Sequence, residues 1–399
     1  MRGCRFSGKQ MILPMIPYGR QDINQADIDA IVEVLNSDYL TQGPLVPKFE
    51  NIVAEYVGAD YVVAANSSTS ALHIACLALG LGPGDWLWTS PNTFVASSNC
   101  ALYCGAQVDF VDIDPDTYNL SINKLTEKLV EAEKNGKLPK IVVPVHLCGQ
   151  SCDMQSIGEL SKKYGFRIIE DASHAIGGKY KEENIGNCQY SDITVFSFHP
   201  VKIITTGEGG MALTNDSSLA EKMKRFRSHG ITSEKNQMRP RDSHEIWNYQ
   251  QIDLGYNYRM TDIHAALGVS QMKRLDDFVK RRREIADTYN TELSNLPILL
   301  PFQHPDNQSS FHLYPIRIIE NSYKVTQRKV YDVLQNTNIN VNLHYIPVYR
   351  QPYYEAMGFP AGYCPESEKY YQEALSIPIY FGLTDSQQAH IIQTLKSIF

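Results

Sequence analysis

A lysine stands where a buried strand runs out, in SDITVFSFHPVKIITTGEGG, residues 191–210. The β-branched and aromatic run 193–198 reads as a strand, and Pro200 stops it. Lys202 follows, flanked by Val201, Ile203 and Ile204. Desolvation disfavours an ammonium and pulls its pKa down from about 10.4, which is what an amine nucleophile needs. The plain alternative is a lysine whose stem lies along apolar surface while its head reaches water. Asp171 ends another apolar run, RIIE, in EDASHAIGG. It could cap the following turn, or hold a proton on the ring nitrogen of a bound heterocycle. A lysine at the end of the next strand favours the second role. In NSSTSALH, residues Ser67, Ser68, Thr69 and Ser70 crowd the start of an apolar helix. Hydroxyls and unpaired N–H groups at the positive end of a helix dipole bind phosphate, although serine and threonine are also ordinary caps there.

These residues need a scaffold that brings strand ends together. A helix is expected within 22–37, its apolar side formed by Ile28, Ile31, Val32 and Leu35, followed by a polar turn over 38–44 and a helix over 45–57. Strands at 61–65, 86–90, 107–111, 140–145 and 167–170 then alternate with helices at 95–103, near 124–133 and at 154–164. That rhythm predicts an α/β fold with a mainly parallel sheet flanked by helices. Ligands in such sheets bind at the carboxyl ends of the strands. The residues to read are therefore 67–70, 92–94, His146, 171–174 and 197–202. A helix over 217–227 precedes a long polar stretch, 227–266, whose length and aromatic content suggest a packed functional loop. One long helix is expected over 262–293. Beyond it, strands near 311–319 and 340–345 and a closing helix at 385–399 suggest a smaller α+β domain.

Composition narrows the classes. The 399 residues are 43% hydrophobic, enough for a large domain and a smaller one. A net charge of -7 argues against a nucleic-acid partner. The one dense basic run, KRRRE at 280–284, reads as a solvated helix face. No stretch of about 18 apolar residues offers a membrane helix, so a cytoplasmic protein without a membrane partner is expected. Residues 1–11 read as an added leader or mis-assigned start, outside the ordered fold, with Met11 the natural beginning. The pairs Cys100/Cys104 and Cys148/Cys152 have the spacing of metal ligands but apolar or glycine neighbours, so reduced, mostly buried thiols are expected and no metal. GLGPGD at 80–85 follows a helix and lacks the dinucleotide spacing, and neither a P-loop nor an H-E-x-x-H is present.

Taken with YLTQGP, NSSTSALH, PNTFVASSNCALYCGAQVDFVDID, EDASHAIGG, FSFHPVKIITTGEGG and GYNYRMTDIHAA, the chain resembles the DegT/DnrJ/EryC1/StrS sugar aminotransferases from Met15 to Phe399. The resemblance implies the fold-type-I architecture of pyridoxal 5'-phosphate (PLP) transferases, with a large domain over 12–270 and a linking helix and small domain over 271–399. It implies that Lys202 holds PLP covalently and then moves protons, while Asp171 pairs with the pyridine nitrogen. Phe94 would stack on the ring and His174 would sit near its phenolic oxygen. Ser68, Thr69 and Ser197 would take the phosphate, and Asn257 would reach a phosphate in the neighbouring subunit of a homodimer with shared active sites. Tyr18, Thr41, Arg259, His344 and Tyr345 match substrate-facing segments. Dehydratases of the family carry histidine in place of the lysine; here Lys202 is present and His199 lies three residues before it. HLCGQSCDM and HYIPVYRQPYY are most similar to transaminases of pseudaminic acid biosynthesis. Those use L-glutamate and a UDP-linked 4-keto sugar of L-altro configuration. A transaminase for a D-configured UDP-4-keto sugar and a PLP-binding regulator without activity are the alternatives.

Overall fold

The structure, a computed structural model, describes residues 14–240, 242, 244–245, 249–319 and 325–399. The expected leader at 1–11 lies outside the described residues. Seven strands form the central sheet: β1 (Tyr61–Ala65), β2 (Trp86–Thr89), β3 (Gln107–Phe110), β4 (Ile141–Val143), β5 (Arg167–Asp171), β6 (Ile193–Ser197) and β7 (Gly210–Thr214). Their order is β3-β2-β4-β5-β6-β7-β1, and β7 alone runs against the others. Every residue of β6 and β7 is buried, which is why both strands read as unbroken apolar runs and not as alternating ones.

Helices cover both faces. Leu72 and Ile74 of α3 (Ser68–Ala78) and Cys100 of α4 (Ala96–Tyr103) pack with Val143, Ile169 and Ile193 on one face. Phe49 and Val53 of α2 (Leu45–Val57) meet Phe196, Phe198 and Met211 on the other. A separate cluster is built from Tyr314, Ile316, Leu334, Ile377 and Ile391, around the antiparallel pair Tyr314–Arg317 and Ala374–Ile377. The N-terminal arm joins that cluster: Ile16 is 1% exposed and pairs with Ile339.

Four sequence expectations change. The predicted helix over 262–293 is two helices, Asp262–Met272 and Leu275–Glu292. They break at Lys273–Arg274, where the Arg274 guanidinium is held by Asp22 at 2.5 Å and Asp27 at 2.6 Å. The segment 340–345 is not a strand: the Asn340 N–H donates to the Ile16 carbonyl at 2.8 Å and Asn342 bridges to Ser376, after which the backbone turns toward the end of β2, where the Tyr345 N–H donates to Asn92 Oδ1 at 3.0 Å.

The first helix, α1 (Gln25–Leu35), is turned the other way from its apolar pattern. Asp27 is its fully buried residue, accepting from Arg274 and from Gln271 Nε2 at 2.8 Å, while Ile28, Val32 and Leu35 are 47%, 48% and 55% exposed. An ion pair fixes this helix, and its apolar side is left outward.

Finally, the basic run 280–284 is not wholly solvated: Arg282 is 2% exposed. Its Nη1 donates to the carbonyls of Phe311, His312 and Ile379 at 3.1, 3.2 and 2.9 Å. Carbonyls at a junction between chain segments have no ladder to join, and a guanidinium satisfies several at once. Arg282→Ala leaves them buried and unpaired, so chemical denaturation of the purified protein should show a loss of about 3 kcal/mol. Arg282→Lys should recover only part, because the lysine ammonium is one bond shorter and stops short of the position that Nη1 occupies.

Candidate active site

The carboxyl ends of β1, β2, β5 and β6 open into one cavity of about 620 Å³. Lys202 lies on the turn after β6, its N–H donating to the His199 carbonyl at 2.9 Å. Burial lowers its pKa to about 8, against the opposing pull of the Asp171 charge. Pairing of β5 with β6 sets Asp171 beside Val195 and so brings the carboxylate to the same cavity. Asp171 Oδ1 accepts from the Ser173 hydroxyl at 2.6 Å and the Ser173 N–H at 3.1 Å. Its Oδ2 accepts from the Ser97 hydroxyl at 2.6 Å.

Where β1 gives way to α3, Ser67 is the N-cap, its Oγ accepting from the Ser70 N–H at 3.1 Å. The Ser70 hydroxyl turns back to Asn66 Oδ1 at 2.7 Å. Ser68 and Thr69, the first two helical residues, have no intrahelical acceptor for their N–H groups, and both line the cavity with Ser197 from the end of β6. Gly210 lets β7 come this close: a Cβ there would run into the backbone of Ser68.

The opposite wall is aromatic. Phe94 is 60% exposed within the cavity mouth, its ring 6.4 Å from that of Tyr345. The Cys148 N–H donates to His174 Nδ1 at 3.3 Å, so the ring proton sits on Nε2 and points at the Tyr345 hydroxyl 3.2 Å away. The His312 ring lies 4.4 Å from that of His174, tilted by 48°. His344 Nδ1 lies 2.9 Å from Ser376 Oγ, and its ring is 5.3 Å from that of Tyr18. Burial, reinforced by the Lys202 charge, pushes His344 down to about 3. His174 and His312 also fall well below the usual histidine value, again through burial first.

Of the residues singled out in the sequence, Lys202, Asp171, Ser68, Thr69, Ser197, Phe94, His174, Tyr18, His344 and Tyr345 all line this cavity. Thr41, Asn257 and Arg259 do not. Thr41 pairs with Thr261, and Asn257 is exposed, its carbonyl accepting from Asn66 Nδ2 at 3.5 Å. His146, expected at a strand end, turns away and bonds Glu170 at 2.7 Å. Thr93 and Ser173 lie within the strand-end windows 92–94 and 171–174, whereas sequence reasoning missed Ser97 and His312. Thr93 and Ser97, four apart after β2, carried a usable signal; His312 comes from the C-terminal region with none.

A desolvated amine, a carboxylate one strand away, a helix start rich in hydroxyls and an aromatic wall fit a phosphorylated pyridine aldehyde. The sequence profile of the DegT/DnrJ/EryC1/StrS aminotransferase family matches residues 21–396. The chain belongs to that family. It is 38% identical over 386 residues to the spore coat polysaccharide biosynthesis protein SpsC of Bacillus subtilis, covering 96% of this chain and 97% of that protein. It is 37% identical over 385 residues to the UDP-4-amino-4,6-dideoxy-N-acetyl-beta-L-altrosamine transaminase of Campylobacter jejuni, with the same coverage. Helicobacter pylori PseC, an aminotransferase involved in pseudaminic acid biosynthesis, superposes with a TM-score of 0.86 at 31% identity, covering 96% of this chain and 99% of that one. The seven-stranded sheet with its one reversed strand is the fold-type-I arrangement of the family.

Two pH responses follow from the site. The rate at which cofactor-free protein bonds to the PLP aldehyde should rise as pH climbs through about 8 and level off above it, because the neutral amine is the reacting form. Asp171→Asn should move that midpoint to lower pH, since it removes the charge that raises it. Stability should fall as pH drops below about 6.5, where unfolded histidines take protons that the folded site refuses, at up to about 1.4 kcal/mol per pH unit for each histidine. In denaturation curves across pH 7 to 4.5, His312→Gln should flatten that slope relative to the parent chain.

Proposed function

We propose that this protein is a PLP-dependent aminotransferase that moves the amino group of L-glutamate to C4 of a UDP-linked 4-keto-6-deoxy-N-acetylhexosamine of L-altro configuration, in the cytoplasm, toward pseudaminic acid. The observation that carries the chemistry is that half-buried Lys202 and buried Asp171 share one cavity with the start of α3. The Campylobacter and Helicobacter relatives support the choice of sugar.

PLP supplies an electron sink for the carbon that loses or gains the amino group. Lys202 would hold the cofactor through Nζ and, once freed by the donor's amine, would serve as the acid/base that moves the proton. A neutral amine near pH 8 suits both tasks. Asp171 holds the proton on the pyridine nitrogen. Ser68, Thr69 and Ser197 would hold the phosphate through hydroxyls and the N–H groups that open α3, with Phe94 at the ring and His174 near its phenolic oxygen, all of them lining the cavity. Held neutral by burial, His174, His312 and His344 add no positive charge where a substrate carbonyl must approach.

The working unit is a homodimer with shared sites. Ile28, Val32, Leu35, Tyr39 and Leu40 are exposed along one side of α1 and the turn after it, an apolar strip of the kind that a partner copy covers. Asn257 then reaches the phosphate bound by the partner. Tyr18, His344 and Tyr345 meet the sugar nucleotide from the chain that carries the lysine, and Thr41 and Arg259 from the other.

Purified protein loaded with PLP should absorb in the visible, bleach with L-glutamate and release 2-oxoglutarate. Lys202→Ala should lose that response. The 4-amino product should form from the L-altro keto sugar; product from a D-configured sugar alone would reassign the substrate, and cofactor binding without any 2-oxoglutarate would mark a regulator. Shared sites have a separate signature. Inactive Lys202→Ala and Asn257→Ala proteins, unfolded and refolded together, should recover about a quarter of the parent activity, since half the dimers are mixed and each mixed dimer has one intact site.

A further inference from the structure

Ser97 lies in the first turn of α4 and is wholly buried. Its Oγ is 2.6 Å from Asp171 Oδ2, 2.7 Å from Thr93 Oγ1 and 3.3 Å from the Phe94 carbonyl. A serine hydroxyl has one proton to give. The carboxylate at 2.6 Å takes it ahead of the carbonyl at 3.3 Å, because charge-assisted hydrogen bonds are shorter and stronger. Ser97 therefore donates to Asp171 and accepts from the Thr93 hydroxyl. The Ser173 bonds to Oδ1 have a local origin, since an aspartate readily engages the residue two positions on. The Ser97 bond has none; it ties the helix after β2 to the end of β5, across 74 residues of sequence.

We infer that Ser97 is a positioning residue for the proposed transamination, acting through Asp171, with Thr93 acting through Ser97. A hydroxyl that donates to a carboxylate favours its charged form. It also fixes which lone pair of Oδ2 is left for the cavity. With that bond in place Asp171 pairs with a protonated ring nitrogen; without it the shared proton moves toward the carboxylate, and the ring loses its pull on electrons. The chain Thr93 to Ser97 to Asp171 strengthens each of its links, as polarised hydroxyl chains do. This role rests on the proposal that the Lys202 cavity holds PLP.

The test reads the proton directly. PLP labelled with ¹⁵N in the ring is bound to the parent protein and to Ser97→Ala, Ser97→Thr, Thr93→Val and Asp171→Asn, and the ring-nitrogen resonance is recorded by solid-state NMR of samples prepared at pH 7. The parent should give a pyridinium signal. Ser97→Ala should move it toward neutral pyridine, by a tenfold or larger change in the ratio of the two forms, about what one lost hydrogen bond to a charged group allows. Thr93→Val should move it the same way by less, and Ser97→Thr, which keeps the hydroxyl, should leave it in place. If Asp171→Asn moves the signal while Ser97→Ala does not, Ser97 is only a packing residue and the inference is overturned, with the proposed site intact. If the parent retains no cofactor, or Asp171→Asn leaves the signal unchanged, the proposed site falls and this inference with it. Should Ser97→Ala fail to fold, Thr93→Val makes the same test through the same hydrogen-bond chain.

Discussion

Desolvation of one amine is the constraint on which the rest of this structure depends. Water would hold Lys202 as an ammonium well above neutral pH, so the fold must exclude water without supplying a counter-charge strong enough to undo the effect. Burial wins and Asp171 only partly opposes it, leaving the lysine near 8. Both terms come from the sheet. The buried strand β6 delivers Lys202 at its end, and the reversed strand β7 brings the chain straight back beneath it. Its neighbour β5 sets the distance to the carboxylate. The histidines on the far wall obey the same rule with the opposite result: dehydration and the nearby lysine keep them neutral. These three histidines thus add no charge of their own to a cavity rich in titratable groups.

Much of this was legible in the sequence, for a physical reason. Strands covered on both faces must be apolar throughout, and a ligand at their ends must be met by the first polar residues after them. That logic finds Lys202, Asp171, Ser68, Thr69 and Ser197 from local pattern alone. It fails where a side chain's role is set by a distant element. Arg282 reads as one more charge on a basic helix, and only the carbonyls of Phe311, His312 and Ile379 explain its burial. His312 reaches the cavity from the C-terminal region, and nothing near it in sequence marks a site.

The first helix shows a deeper limit of periodicity. Its apolar spacing correctly announces a helix but not which side faces the core. Asp27 and Arg274 form an ion pair in which the carboxylate is fully buried, and that pair also breaks the chain between Met272 and Leu275. Removing charge from water is costly and is offset only by close, well-oriented partners. Once the pair is made, the rotation of α1 is fixed and Ile28, Val32 and Leu35 must face away. An outward apolar stripe held by an inward ion pair is understandable if the stripe has its own occupant, which is why the same pattern that misleads about the core supports a dimer.

The start of α3 shows how a helix can satisfy itself and still keep a binding site open. Four N–H groups at a helix start need partners. Ser67 meets the need at Ser70, and the two hydroxyls lie 2.9 Å apart, with Asn66 accepting from Ser70. The cap is thereby closed on itself using the first and last of the four hydroxyl residues. Ser68 and Thr69 between them are not required for the helix and remain available to an anion. This division matters more here than in an enzyme that keeps its cofactor bonded throughout. In the proposed reaction the cofactor would lose its tether to Lys202 on taking up an amino group, and non-covalent contacts would have to retain it. A phosphate held by backbone donors at a rigid helix start, against which Gly210 packs closely, would not depend on that lysine.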